Sequence, residues 1–355
     1  MHTMKKVLTV LFIVFVFALE VGCGGGAKWA NTGGGVSSYN VSSLTYDSVH
    51  NVLYAGCTDD LHGYLLNGTL THPGGVWKYD GTRWTKIGEP KRGDRIVSLA
   101  YDSKHDVLYA GTGADVWKYD GVNWTNIHGA ASSVYGPISF ILIYDSVHDL
   151  LYGAGPAGVA KYDGTDWTQI SGAVSSPGSP TSLALDPVHN LLYAGTNGQG
   201  SVWRYDSGTT WTGIGQIGGN LPDSSVGSLA CDPVHNLLYA GGNHGVWKWD
   251  GAKWTDIGGE VSKYEAESLA YDSVRNVLYA GCSKSSSEGV PIGEGVWKYD
   301  GTSWKDTGEV SNYRIDSLVY DSGHNLLYAG TYTMELHAER AGQTGHGVWK
   351  YASAK

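Results

Sequence analysis

The chain has 355 residues, among them 52 Gly, 24 Tyr and 14 Trp, and its formal net charge at pH 7 is −10. Glycine at this level supplies many tight turns and aromatic residues favour strands, so the composition favours an all-β protein. The negative charge excludes the basic surface that nucleic-acid binding requires, and we predict no nucleic-acid partner.

Residues 1–23 are predicted to form a bacterial export signal. Lys5 and Lys6 precede an apolar run at 7–19, which is too short to span a bilayer comfortably. The segment ends in Cys23 and resembles a bacterial lipoprotein signal, in which the cysteine is lipidated, although Glu20 stands where an apolar residue is usual. An ordinary secretory signal is the alternative. Both interpretations predict export to the periplasm, outer membrane or cell surface. The only predicted membrane contact is the lipid on Cys23 in the lipoprotein interpretation.

Residues 24–355 are predicted to be a single domain built from repeats. The clearest copy is 228–259, and equivalent aspartates recur 40 to 50 residues apart along the chain. Repeats of this period are typical of solenoids, propellers and arrays. These aspartates are Asp80, Asp120, Asp163, Asp206, Asp250 and Asp300.

Each copy is predicted to contain four strands, A to D. Their sequences are SLAYD (strand A, as at 268–272), VLYAG (strand B, as at 277–281), GVWKYD (strand C, as at 295–300) and WTxIG (strand D, as at 254–258). Turn residues separate A from B and C from D. Strand B is apolar without alternation, which indicates a strand covered on both faces.

The strand count predicts a closed ring. Seven copies of strands A, B and C occur, but only six are followed by strand D, because the chain ends soon after the seventh strand C. The missing strand is at 28–38, which matches 253–263. We therefore predict a seven-bladed β-propeller of four-stranded blades, in which the N-terminal strand completes the last blade. Trp29 should pack there as Trp304 packs in the preceding blade.

The C–D turn of the fourth copy resembles a family motif. In RYDSGTTWT at 204–212, the spacing of Asp206, Gly208 and Trp211 is similar to the Asp-box of bacterial-neuraminidase (BNR) repeats. The order of elements is also similar to that of BNR-like propellers, which include sialidases, xyloglucanase-type glycosidases and sortilin-like receptors. The other five turns are one residue shorter, so the resemblance implies a fold and transfers no activity. WD40 propellers are the second candidate, since the period fits and Trp249-Asp250 supplies one Trp-Asp pair.

The face that carries the A–B and C–D turns is predicted to present nearly the same residues in every blade. One position of the A–B turn holds histidine in six copies and Arg275 in copy six. One residue per blade cannot share a metal ion, which needs ligand atoms within about 2–2.2 Å. We predict a repeated turn residue here, with no metal and no cofactor. The histidines are His50, His105, His148, His189, His235 and His324.

The opposite face, which carries the D–A and B–C loops, is uneven. Its long B–C loops are at 58–74, 283–294 and 332–346, in blades one, six and seven, and the D–A loops entering these blades share V-S-x-Tyr. Loops on a rigid scaffold commonly carry binding, and tyrosines suit a sugar face or a peptide. Late duplication with solvated insertions is the alternative explanation. The predicted ligand-binding residues are Tyr39, Tyr264, Tyr313, His62, His72, His337, His346 and Arg314.

Near-identical copies favour a non-catalytic, monomeric binding or scaffold protein, whose ligand is a glycan or a protein. The alternative is a glycoside hydrolase of the BNR type, which needs two carboxylates across the scissile bond, and Glu294 and Glu335 are its candidates. Arg314-Ile315 also looks like the start of a sialidase Arg-Ile-Pro motif, without the proline. A purely structural surface protein is the third hypothesis and predicts no ligand.

Overall fold

The computed structural model describes residues 27–58, 74–91, 94–127, 141–175, 178–198, 200–218, 224–285, 291–332 and 347–352. The predicted signal, its Cys23 and the candidate acid Glu335 lie outside these ranges, as do the predicted binding residues His62, His72, His337 and His346. Within the described part of the chain, no helix has the length and apolar character that a membrane crossing requires.

The described strands form seven antiparallel four-stranded sheets, which confirms the predicted seven-bladed β-propeller. The first strand, β1 (Lys28–Asn31), belongs to blade seven. Blade one contains β2 (Asn40–Asp47), β3 (Val52–Thr58), β4 (Gly75–Tyr79) and β5 (Trp84–Gly88). Blade two contains β6 (Ile96–Asp102), β7 (Val107–Thr112), β8 (Val116–Tyr119) and β9 (Trp124–Asn126). Blade three contains β10 (Ile141–Asp145), β11 (Leu150–Gly155), β12 (Gly158–Tyr162) and β13 (Trp167–Gln169).

The remaining blades repeat this order. Blade four contains β14 (Pro180–Asp186), β15 (Leu191–Thr196), β16 (Ser201–Ser207) and β17 (Thr210–Gln216). Blade five contains β18 (Val226–Asp232), β19 (Leu237–Gly242), β20 (Gly245–Trp249) and β21 (Trp254–Asp256). Blade six contains β22 (Glu265–Asp272), β23 (Val277–Ser285), β24 (Pro291–Tyr299) and β25 (Trp304–Asp306). Blade seven contains β26 (Arg314–Asp321), β27 (Leu326–Tyr332), β28 (Gly347–Ala352) and β1. Short 3₁₀ segments occur at Gly34–Ser38, Gly172–Ser175 and Gly259–Val261.

The N-terminal strand closes the ring, as predicted. β1 pairs antiparallel with β28 and places Trp29 opposite Tyr351, with ring centroids 5.0 Å apart. Trp29 is only 3% exposed, and its indole N–H donates to the Thr307 hydroxyl at 3.0 Å. In blade six, Trp304 packs on Tyr299 in the same way, with centroids 5.2 Å apart. The N-terminal strand therefore takes the place of strand D in blade seven.

Neighbouring blades share their hydrophobic cores. Strand B is buried along most of its length, and every residue of β7 is buried. The glycine in the LYAG sequence of strand B faces strand A of the next blade: a Cβ on Gly56 would lie 2.5 Å from Cγ2 of Ile96. A larger residue there would push the two blades apart, so the repeated glycine is a packing requirement.

Serines near the start of strand A also join adjacent blades. The Leu99 N–H of blade two donates to the Ser43 hydroxyl of blade one at 2.9 Å. The Leu44 N–H of blade one donates to the Ser317 hydroxyl of blade seven at 2.9 Å, across the point where the ring closes. The blades are thus held together by both apolar packing and hydrogen bonds.

Candidate functional site

Blades six and seven place acidic side chains at a position that other blades fill differently. Strand A has a one-residue irregularity just before its Ser-Leu pair in the six blades whose strand A is described from its start. Such bulges turn a side chain away from its regular direction and are common next to functional sites. The bulged residues are Ser42, Val97, Thr181, Gly227, Glu267 and Asp316.

One arginine joins the two bulged acids across the boundary between the blades. Nη2 of Arg314 lies 2.5 Å from Oε2 of Glu267, and its Nε donates to Oδ1 of Asp316 at 2.7 Å. The Ser283 hydroxyl donates to the other oxygen of Glu267 at 2.6 Å. The guanidinium also lies 5.3 Å from the ring centroid of Tyr332, a cation–π arrangement. We call Glu267, Arg314 and Asp316 the Arg314 cluster.

The electrostatics of the Arg314 cluster reflect partial burial. The side chains of Arg314, Glu267 and Asp316 are 27%, 20% and 11% exposed. Burial raises the pKa of both Glu267 and Asp316, because it disfavours the charged carboxylate, and the Arg314 guanidinium opposes this effect. The cluster therefore offers carboxyl oxygens and a guanidinium that remain in reach of solvent but are poorly hydrated.

Further polar groups of blade six surround the cluster. Lys284 forms an ion pair with Glu294, the acid that the sequence analysis considered for glycoside hydrolysis. The Ser285 hydroxyl donates to Glu265 at 3.0 Å. The backbone N–H of Gly295 donates to the carbonyl of Tyr313 at 3.2 Å, so β24 passes directly beside the start of blade seven. Strands of two blades thus supply polar groups near the cluster.

The three tyrosines of the V-S-x-Tyr motif have a packing role that the sequence analysis did not predict. Each N–H donates to the carbonyl of the motif's valine, and these valines, Val36, Val261 and Val310, are fully buried. Each tyrosine ring packs on the tryptophan of strand C in its own blade, at centroid distances of 5.8 to 5.9 Å. Tyr264 is only 9% exposed. The pairs are Tyr39–Trp77, Tyr264–Trp297 and Tyr313–Trp349.

The structure thus brings part of the predicted site together. Arg314 lies at the centre of the cluster, and Tyr313 precedes it in the chain. Tyr264 lies beside Glu294; burial raises the pKa of the Tyr264 phenol, and the charge of Glu294 adds to the rise. Tyr39 belongs to blade one. Glu267 and Asp316 were not among the predicted site residues, although the residue before each Ser-Leu pair of the repeats distinguishes them from the other blades.

On the opposite face, the repeated histidines are held by their own turns. Nδ1 of each lies 2.6 to 2.8 Å from a buried aspartate three residues earlier, and Arg275 takes the same role beside Asp272 at 3.1 Å. Among the described residues, two groups place their potential metal-ligating atoms within 4.8 Å of one another. Each group combines one histidine with carboxylates of two adjacent blades. The groups are Asp47, His50 and Asp106, and Asp102, His105 and Asp149. Lys104 already pairs with Asp149 at 3.3 Å, so the second set is partly neutralised.

Comparisons with known proteins agree on the fold. No protein-family model matches the chain, and no curated protein is significantly similar to it. Among solved structures, it is similar to the extracellular domain of a putative hybrid two-component system from B. thetaiotaomicron, with a TM-score of 0.65 and 17% identity over 91% of this chain. It is also similar to a GH74 enzyme from Niastella koreensis, with a TM-score of 0.61 and 16% identity over 85% of this chain.

The chain spans 39% of the first structure and 53% of the second. The WD40 repeats of RRP9 are similar at a TM-score of 0.62 and 11% identity, over 92% of this chain and 97% of that one. At these identities the likenesses show the propeller fold alone.

Proposed function

We propose that this chain is an exported, non-catalytic binding propeller that holds a glycan against the Arg314 cluster. The observation that carries the proposal is the pair of bulged acids in blades six and seven, bound to a single guanidinium where the other described bulges hold Ser, Val, Thr or Gly. Export is supported by the predicted signal at residues 1–23. An extracellular domain among the similar structures is consistent with it.

The chemistry of the cluster suits sugar hydroxyls. A hydroxyl both donates and accepts hydrogen bonds, so it can donate to Glu267 or Asp316 and accept from Arg314. Hydrogen bonds that include a charged group are about twice as strong as neutral ones. Trp297, Tyr313 and Trp349 are partly exposed beside the cluster, and their flat apolar rings give a sugar ring a surface on which to pack.

A glycan array tests this proposal with the mature chain, residues 24–355. Glu267→Gln and Arg314→Lys should each reduce binding at least tenfold, since each weakens about one charged hydrogen bond. The matched control is Arg83→Gln, an exposed arginine on the opposite face. Tyr264→Phe and Tyr313→Phe are preferable to alanine because they keep the packing on tryptophan. Unchanged glycan binding in both cluster variants would contradict the site. If the chain binds proteins but no glycan, a protein ligand is favoured.

A glycoside hydrolase is the second candidate, because two carboxyl groups with raised pKa lie at one site. A protonated carboxyl can act as a general acid while a second carboxylate acts as base or nucleophile. Glu267 and Asp316 replace Glu294 and Glu335 as the residues to test. Hydrolysis of a panel of fluorogenic glycosides that Glu267→Gln and Asp316→Asn both abolish would favour the enzyme. Glycan binding without hydrolysis would favour the binding protein.

A further inference from the structure

Five of the seven boundaries between blades are joined by a tyrosine. The hydroxyl of the tyrosine in strand A bonds to the buried aspartate of the preceding blade's A–B turn, as Tyr271 does to Oδ2 of Asp232 at 2.6 Å. The same hydroxyl also lies within hydrogen-bond distance of an Asn or Asp oxygen in the turn of its own blade, here Oδ1 of Asn276, so its single proton is shared between the two oxygens. The five pairs are Tyr101–Asp47, Tyr144–Asp102, Tyr271–Asp232, Tyr320–Asp272 and Tyr46–Asp321.

Two boundaries lack this tyrosine: the boundary between blades four and five, where Cys231 replaces it, and the boundary between blades three and four. At the latter, Leu185 stands in its place, so the carboxylate of Asp145 is bound by its own turn, through His148 at 2.7 Å and backbone N–H groups. Ile141 also stands where the other strands A have serine, which removes the hydroxyl that joins other blades. Both connections of the repeat are therefore missing at the same boundary.

A cavity of about 460 Å³ lies at this boundary. Tyr152, Leu185, Leu192 and Tyr205 supply apolar surface, while Asp145 and His148 supply polar atoms. At the preceding boundary, where Tyr144 is present, the equivalent space measures about 190 Å³. The absent phenol thus coincides with a cavity more than twice as large, within the range of about 300–1,000 Å³ typical of small-molecule sites.

A second departure from the repeat lies at the same cavity. The C–D turn of blade four is one residue longer than the other described C–D turns, and its residues Asp206, Ser207 and Gly208 line the cavity. This is also the turn that resembles an Asp-box. Two independent sequence changes in one blade therefore shape one cavity.

We propose that this cavity binds a small aromatic molecule that carries a hydroxyl group. At the five boundaries that have the tyrosine, a phenol ring lies between two blades, and its hydroxyl bonds to the buried aspartate, as Tyr271 does. The ligand's ring stacks on Tyr152, the strand-B tyrosine equivalent to Tyr239, beside Leu185, and its hydroxyl donates to Asp145. This site is on the face opposite the Arg314 cluster, so it does not depend on the proposed glycan binding.

The test uses 4-methylphenol, which is the tyrosine side chain as a free molecule, and toluene, which lacks the hydroxyl. Titrations followed by calorimetry or NMR should show that 4-methylphenol binds at least about tenfold more tightly than toluene, because only the former donates to a carboxylate. Leu185→Tyr should abolish the binding by filling the cavity. The matched control, Cys231→Tyr, adds a tyrosine at the next boundary and should leave the binding unchanged.

A second variant keeps the proposal testable if Leu185→Tyr does not fold. Ser207 is exposed at the cavity mouth, so Ser207→Trp should obstruct entry without altering the core. Full affinity in both variants would overturn the location. Equal affinity for 4-methylphenol and toluene would overturn the role of the hydroxyl, and no binding at roughly millimolar concentration would overturn the site itself.

Discussion

Glu267 and Asp316 show how a single substitution in a repeat changes local chemistry. The fold supplies the same bulge in other blades, where Ser42 and Thr181 use their hydroxyls to bond a carbonyl of the next blade, at 2.6 and 2.5 Å. A carboxylate at this position cannot donate to a carbonyl, and it recruits Arg314 instead. The substitution thus converts a structural contact into a charged group at the surface.

The first prediction concerns the pH dependence of Glu267. Its folded pKa is raised above the usual 4.5, so the stability that it contributes is present at low pH and is lost as the pH rises through the raised value. Relative to Glu267→Gln, the wild type should therefore gain free energy of unfolding as the pH falls from about 7 to about 4. Urea denaturation at several pH values measures this difference.

Asp80 provides the control of opposite sign. Hydrogen bonds from the Thr82 hydroxyl and from backbone N–H groups lower its pKa from 3.8 to about 2. Its contribution is therefore present above the usual pKa and is lost as the pH falls through the lowered value. Asp80→Asn should lose its difference from the wild type on acidification, below about pH 4. If the wild type instead lost stability relative to Glu267→Gln as the pH falls, that result would contradict the burial of Glu267.

Among the strands, β1 is short, but it connects blades six and seven. It has four residues, yet its Trp29 joins two blades: it packs on Tyr351 of blade seven and donates to Thr307, which follows the last strand of blade six. In the other six blades each strand pairs with its neighbour in the chain, whereas β1 pairs with β28 from the other end of the chain. Its pairing is therefore a long-range contact that exists only when the ring is closed.

The second prediction is that Trp29→Ala lowers the free energy of unfolding by about 3–5 kcal/mol, the usual cost of truncating a buried tryptophan. The exposed neighbour Lys28 is the control, and Lys28→Ala should change stability by less than about 0.5 kcal/mol. Thermal and urea denaturation measure both. Deletion of residues 28–35 should be more severe. An unchanged melting curve in the deletion would contradict closure by β1.

At the scale of the whole molecule, the boundaries between blades are unequal. Most are joined by a tyrosine and a serine from strand A, but the boundary between blades three and four has Leu185 and Ile141 at these positions. A closed ring forms only when all blade boundaries are packed, so the contacts at each boundary contribute to the free energy of unfolding of the propeller. The boundary between blades four and five also lacks the tyrosine, since Cys231 stands in its place, and the Ser182 hydroxyl there is buried without a hydrogen-bond partner. The other five boundaries retain the tyrosine contact.

The third prediction tests a boundary that has its tyrosine. Tyr271→Phe removes the hydroxyl that donates to the fully buried Asp232, and should lower the free energy of unfolding by about 1.5–3 kcal/mol, the range for hydrogen bonds to charged groups. Tyr299→Phe is the control, since its hydroxyl donates to an exposed turn carbonyl at 2.9 Å. Urea denaturation measures both. Equal effects would show that the boundary contact contributes no specific stability.

The architecture of this protein could be predicted from its repeats alone. The repeat defines four strands per copy, because turn residues recur at fixed positions, and the strand D missing at one end appears at the other. Closure follows from that count, since a ring is the arrangement in which both ends complete one sheet. The unevenness of the loops also predicted a binding site in blades six, seven and one, with Arg314 among its residues.

Which side chains contact one another across the blades could not be predicted from the repeats. Glu267 and Arg314 are 47 positions apart and approach because a bulge turns one acid across the boundary between two blades, which no periodic pattern encodes. The tyrosines of V-S-x-Tyr pack on tryptophans because the preceding turn directs them inward. The cavity beside Leu185 depends on the volume of a side chain that is absent, and such a space is defined only once the neighbouring blade is in place.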